Sequence, residues 1–200
     1  MKILIIGANG TIGRAVTNSL QNGNDIIKVG KTSGDFQADI SNSSSIEDLF
    51  KNIGKVDAII CIAGEAKWEQ FEKLSEEDFY IGIRSKLMGQ VNLVRIGQKY
   101  LHQKGSFTLT TGILADEPVD KTTSAAMVNG AIHSFVKAVA LELENGHRIN
   151  AVSADLVADA KDKYQDFFPG HTPVPMYKVT NAYKKSVLGL GTGQIIRVKA

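Results

Sequence analysis

The chain of 200 residues is poor in the residues that build covalently stapled or metal-held folds, with one cysteine, four histidines, four prolines and one tryptophan. A lone Cys61 excludes an intrachain disulfide, and its place inside the apolar run Ala58 to Ile62 assigns it to packing rather than to nucleophilic chemistry. That usage fits a reducing compartment, so a cytoplasmic protein is expected. The histidines and the cysteine show no ligand spacing, which leaves no metal site to expect. No apolar run is long enough to span a bilayer, and the few residues ahead of the first glycine are too short for a secretory leader, so no membrane partner is expected. Excess charge of one sign is missing as well. With 23 Lys and Arg against 21 Asp and Glu the formal net charge is +2, and the pair Lys184-Lys185 is no basic stripe, so no nucleic-acid partner is expected. Low-complexity segments and linkers are absent, and the length suffices to bury a core, so one domain over residues 1–200 is expected.

Glycine is plentiful, and three glycines near the start are placed with consequence. The apolar run Ile3-Leu4-Ile5-Ile6 suits a strand buried on both faces, and it feeds Gly7-Ala8-Asn9-Gly10-Thr11-Ile12-Gly13 before a helical pattern begins. Backbone amides at such a helix start favour a pyrophosphate, so Gly7, Asn9, Gly10, Thr11, Ile12 and Gly13 are read as a phosphate cradle. The spacing is G-x-x-G-x-x-G rather than G-x-G-x-x-G, and the alternative is a glycine-rich turn that binds nothing. A second strand at Asp25 to Val29 completes the βαβ context.

Further on, Ala38 to Ser41 reads as a short extended piece, and Ser44 with Glu47 has capping-box spacing before Ile46. Val56 to Gly64 repeats the grammar of the first strand. A long helix is expected from Ser75 to Tyr100, with Phe79, Ile83, Leu87, Val91 and Val94 on its buried stripe. Strands follow at Gly105 to Gly112, Arg148 to Ala154 and Ile195 to Val198, with a second long helix from Thr122 or Ser124 to Glu144. The stretch from Asp155 to Asn181 holds three of the four prolines, and residues 155–186 are read as a substrate-side loop or lid. Such alternation predicts an α/β doubly wound fold, a parallel sheet flanked by helices on both faces, with ligands at the carboxyl ends of the strands.

Five stretches together resemble the short-chain dehydrogenases and reductases, over nearly the whole chain. They are the Gly7 to Gly13 loop, Ala38-Asp39-Ile40, Cys61-Ile62-Ala63-Gly64, Arg148 to Ser153, and Thr192 to Val198. The resemblance implies a Rossmann fold, a bound nicotinamide dinucleotide, and contacts from Asp39 and Ile40 beside the adenine and from Ala63 and Gly64 along the nucleotide. Where the second strand ends, Lys31, Thr32 and Ser33 offer a cation and two hydroxyls in place of the carboxylate that excludes a 2′-phosphate. With Arg14 nearby, NADP rather than NAD is expected. The two long helices resemble the pair through which this family forms four-helix interfaces, so a homodimer or homotetramer is expected.

The same resemblance implies a catalytic Tyr-x-x-x-Lys pair, a serine and an asparagine, and here the chain departs from it. The tyrosine and lysine positions hold Ala125 and Asn129, and the serine falls on Thr111 or Gly112. Lys86 stands at the asparagine's position, as though lysine and asparagine had exchanged helices. Thr111, Lys86 and Asn129 are therefore the candidate catalytic residues, with Lys86 snorkelling to solvent as the alternative. His133, His171, Tyr164, Tyr177, Glu65 and Lys67 are further candidate acids, His133 being placed more than two turns from Ala125 and assigned to packing or solvent. Two functions follow. One is an NADP-dependent oxidoreductase that acts on a small carbonyl or alcohol substrate through a non-standard acid; the other is a non-catalytic NADP-binding sensor or scaffold.

Overall fold

Seven parallel strands in the order β3-β2-β1-β4-β5-β6-β7 form the sheet of the computed structural model, which describes residues 1–200. They are β1 (Lys2–Ile6), β2 (Asp25–Gly30), β3 (Phe36–Gln37), β4 (Val56–Cys61), β5 (Leu101–Gly112), β6 (Arg148–Ala154) and β7 (Ile195–Val198). Helices α1 (Thr11–Leu20), α2 (Ser43–Ile53), α3 (Glu76–Gly82), α4 (Gly89–Gly97), α5 (Thr123–Val139), α6 (Lys161–Tyr164) and α7 (Met176–Leu188) connect them. This is the expected doubly wound arrangement, with the order reversing at β1 and β4 and so opening a crevice at their carboxyl ends. None of the helices is long and apolar enough to cross a membrane.

The strands are continuous apolar runs because helices cover both sides. Ile3 and Ile5 pack toward α1 and α7 with Val16, Val179 and Tyr183, while Leu4 and Ile6 pack toward α2, α4 and α5 with Phe50, Leu93 and Ile132. The four apolar side chains of β1 are at most 1% exposed, so shortening any one to Ala would cost roughly 2–5 kcal/mol. Between α7 and the sheet lies a polar seam in which Thr110 Oγ1 meets the Tyr183 hydroxyl at 2.7 Å and Thr108 Oγ1 meets Ser186 Oγ at 2.6 Å.

Several local readings are corrected. The cap of α2 is Asn42, whose side chain accepts from the Ser44 amide at 3.0 Å, so the Ser44/Glu47 box does not form. The short extended piece lies two residues earlier, at Phe36–Gln37. Helix α5 stops at Val139, five residues short of Glu144, and β5 begins at Leu101 rather than Gly105. The second half of the supposed lid is no loop: residues 176–188 form α7, a core helix with Val179, Tyr183 and Val187 buried, which leaves 155–175 as the irregular segment. Its prolines and the early polar residues masked that helix.

The long helix starts at Ser75 in a capping box with Asp78 and runs through α3, a π turn (Ile83–Met88) and α4. Its buried face differs from the expected stripe. Gly82, Gly89, Gln90, Leu93, Val94, Ile96 and Gly97 are buried, while Phe79, Ile83, Leu87 and Val91 are half-exposed. Three glycines face inward beside Leu93, Val94 and Ile96 because the backbone there lies against other groups. A Cβ on Gly97 would stand 2.9 Å from the Phe50 ring, and one on Gly89 2.9 Å from Ile40 Cδ1.

Candidate functional site

The first wall of the crevice is backbone. Gly7 adopts φ +83°, and a Cβ there would meet Ile62 O at 2.5 Å, while one on Gly13 would meet Gly7 O at 2.0 Å. The loop therefore closes only with glycine at these points. Gly10 precedes α1 in an extended conformation without any side-chain cap, so the first amides of the helix are left for a ligand. Arg14 Nη1 donates to Asn9 O at 2.6 Å and fixes the tip of the loop.

Beside it lies a cavity of about 310 Å³ between β1, β2 and the Ala38–Ser41 turn, bordered by Gly7, Lys31, Asp39, Ile40, Ala63 and Gly64. Lys31 Nζ stands 2.8 Å from Asp39 Oδ2. The Lys31 ammonium, helped by the Ser41 hydroxyl and amide, holds the Asp39 carboxyl down at about 2. Asn9 Nδ2 donates to Ser33 Oγ at 2.8 Å, whereas Thr32 gives only its carbonyl, to Gln37. The expected cluster thus divides: Lys31 pairs with Asp39, Ser33 with Asn9, and Arg14 with the loop backbone.

A second cavity, of about 410 Å³, continues past the loop toward the ends of β5 and β6. Gly10, Gly13, Lys86 and Gly112 border it on one side, and Trp68, Tyr164 and Phe168 on the other. Lys86 reaches it from the π turn, a distortion common at functional sites. Its stem lies on Gly64 (φ +112°), where a Cβ would stand 2.7 Å from Lys86 Cα. Burial pulls its ammonium down to about 8, and the neighbouring Cys61 opposes that only in part. The Cys61 thiol is itself pushed up to about 12 by burial, as packing requires.

Tyr164, a candidate acid from sequence, thus borders the cavity, whereas the polar groups of Thr111, His133, Asn129, His171 and Tyr177 are engaged or placed elsewhere. Thr111 borders it, yet its hydroxyl lies 2.8 Å from His133 Nε2 and is buried against α5. His133, assigned from sequence to packing or solvent, is the partner of that hydroxyl, and its burial lowers its pKa. Asn129 is 2% exposed, with its Oδ1 unpartnered, and its Nδ2 would lie 3.8 Å from a Cβ on Gly112. Ala125 sits in an apolar cluster with Ile113, Leu114, Leu156 and Phe168, so the space a phenol would use on α5 is filled. His171 Nδ1 is held 2.8 and 3.0 Å from the Asp155 carboxylate, and Tyr177 is 61% exposed on α7. Sequence reasoning missed Trp68, whose ring centroid is 5.4 Å from Tyr164, 5.7 Å from Phe167 and 6.4 Å from Phe168. The signal available was the chain's single tryptophan followed a hundred residues later by an aromatic-rich lid.

Comparison with known proteins places these features in company. A family model described as enoyl-(acyl carrier protein) reductase matches residues 11–189. The protein lin1944 from Listeria innocua is similar in structure, with a TM-score of 0.97 and 45% identity, 99% of each chain being covered. A small-chain dehydrogenase solved in complex with NADPH superposes with a TM-score of 0.88 at 26% identity, over 100% of this chain and 96% of that one. Glucose and ribitol dehydrogenase homolog 2 of Arabidopsis thaliana is 26% identical over 109 residues, covering 54% of this chain and 38% of that protein. The chain thus spans less than half the length of the curated relatives it matches.

Proposed function

The chain belongs to the short-chain dehydrogenases and reductases, and on that premise we propose that it is an NADP(H)-dependent oxidoreductase of a small carbonyl or alcohol substrate, working without the phenol on α5. The observation that carries this reading is Lys86, an ammonium brought by a π turn into the cavity that the glycine loop opens onto. The residues present fit the cofactor. The cradle that a Cβ on Gly7 or Gly13 would fill and the uncapped start of α1 suit a pyrophosphate. Asp39, Ile40, Ala63 and Gly64 would flank the adenosine, with Lys31, Ser33 and Arg14 near enough to hold a 2′-phosphate. Lys86 would take the ribose hydroxyls and the adjacent substrate oxygen, the office of the lysine that Asn129 replaces. When bound, a reduced nicotinamide supplies the hydride; the chain supplies orientation, a fixed positive charge and the exclusion of water.

NADPH oxidation over a panel of aldehydes, ketones and quinones tests this, with Lys86→Met expected to lower turnover and cofactor affinity together. A second reading, a non-catalytic NADP-binding sensor or scaffold, is favoured by Ala125, which takes away the phenol, and by the buried Thr111 hydroxyl. Tight NADPH binding with no turnover across the panel would select it. For partners we propose a homodimer, or a homotetramer built from it, through the half-exposed stripe of Phe79, Ile83, Leu87 and Val91 with Met88 and Met127, which are 40% and 44% exposed. Sedimentation giving a monomer at micromolar concentration would refute it.

A further inference from the structure

The chain has five tyrosines, and four are spent or misplaced. Tyr80 donates to Glu76 at 2.8 Å, Tyr183 is sealed against Thr110, Tyr100 stacks on Phe50 with ring centroids 5.1 Å apart, and Tyr177 faces solvent. Tyr164 alone borders the cavity that holds Lys86, and its hydroxyl has no partner within the chain. It comes from α6, in the segment that closes over the ends of β5 and β6. That segment is fixed there by the Val157–Val174 bridge, the His171–Asp155 pair and the packing of Trp68 on its aromatic rings.

Its surroundings restrict what it can meet. Trp68, Tyr164 and Phe168 present rings to the cavity, and Leu114 and Leu156 lie between them. Lys86 and Asp155 are the only charged side chains on its lining, and the Asp155 carboxylate is already held by His171 and by the Leu156 amide at 2.7 Å. A polyol bound against this wall would leave hydroxyls unpaired, whereas a flat ring would stack and turn its carbonyl toward Lys86.

We propose that Tyr164 is the proton donor of this site, delivered from the lid rather than from α5, and that its substrate is an uncharged aromatic aldehyde or ketone. This rests on the oxidoreductase reading above. In the reduction the carbonyl π bond breaks, the carbonyl carbon takes the hydride and its electron pair from NADPH, and the oxygen takes the proton of Tyr164 Oη. Water then returns a proton to the phenolate, and the alcohol and NADP⁺ leave.

Acetophenone titrated into the cofactor-free protein, with the single tryptophan as reporter, should quench emission saturably, and ribitol should not. Tyr164→Phe keeps the ring against Trp68 but removes the hydroxyl, so acetophenone affinity should fall about three- to tenfold. With NADPH present, turnover of the same ketone should fall about a hundredfold or more while the dissociation constant for NADPH is unchanged. Turnover within threefold of wild type in Tyr164→Phe, or ribitol binding as well as acetophenone, would overturn the proposal. Wild-type protein that binds NADPH and acetophenone but never consumes both would overturn the donor role. Failure to bind NADPH at all would instead overturn the oxidoreductase reading on which it stands.

Discussion

At one end of the crevice, around β1, β2 and β4, the glycine loop borders the cavity with backbone; at the other, around β5, β6 and the lid, side chains drawn from separate segments border it. The glycine loop would hold its ligand by amides and close approach, and the conformation follows from which residues lack a Cβ. Lys86, Trp68 and Tyr164 meet only because the sheet brings the ends of their elements together. A backbone site can be read along the chain and resists drift, since any side chain at Gly13 collides with Gly7 O. A side-chain site can exchange its members one at a time and keep its cavity.

The comparison breaks most visibly at the glycines. Gly13→Val would put a Cβ 2.0 Å from Gly7 O. The expected outcome is loss of NADPH binding by more than about a hundredfold, measured by calorimetry, because the loop must open to admit the side chain. Binding within tenfold of wild type would show that the cradle is not the phosphate site.

Next in size is an attempt to restore the phenol where the family carries it. Ala125 is 4% exposed and packed by Ile113, Leu114, Leu156 and Phe168. Ala125→Tyr should therefore destabilise the fold by about 1–3 kcal/mol, read by urea denaturation, and should not raise turnover. A gain in activity at unchanged stability would mean that the α5 position still addresses the substrate, and that the two ends of the crevice differ less than the packing says.

These contrasts explain what could be read beforehand. The doubly wound parallel sheet, β6 at its observed bounds and the loop from Gly7 to Gly13 follow from period, apolar runs and glycine spacing, which are local properties. Helix α7 escaped because its apolar residues are interrupted by lysines and it follows two prolines, and of the expected stripe on the long helix only Val94 is buried, because the close approach of the backbone at Gly89 and Gly97 turns a different face inward. The exchange of Lys86 for Asn129 was visible as a pair of positions, but whether each side chain faced the cavity was not. Thr111 shows the limit most plainly, since its hydroxyl was assigned to the substrate and is instead bonded to His133.

Lys86 links the two ends and should give the clearest dependence on pH. Burial lowers its pKa from 10.5 to about 8, so the charged form is present below that and is lost as pH rises through it. NADPH affinity of the wild type should fall as pH passes about 8, whereas Lys86→Met should bind about tenfold more weakly at pH 7 and show no such fall. A Lys86→Met profile that still bends at the same pH would assign the titration to another group.

The smallest effect belongs to Lys31 and Asp39 and decides between the two cofactors. Asp39 would compete with a 2′-phosphate for the Lys31 ammonium 2.8 Å away. Lys31→Ala should reduce the preference for NADPH over NADH about five- to tenfold, since it removes the cation and leaves the carboxylate facing the phosphate. Asp39→Asn should move the preference the other way, because Lys31 is released. The pair is largely exposed, with 72% and 36% of the side chains accessible, so solvent screens it and its share of stability is small. That share has a definite sign. The folded Asp39 titrates at about 2 against an ordinary 3.8, so its contribution is full above 3.8 and is lost as pH falls toward 2. A shallow acid-side drop in melting temperature should be present in the wild type and diminished in Asp39→Asn. If Asp39→Asn instead weakens NADH and leaves NADPH unchanged, the carboxylate holds ribose hydroxyls, and this end of the crevice is built for NAD.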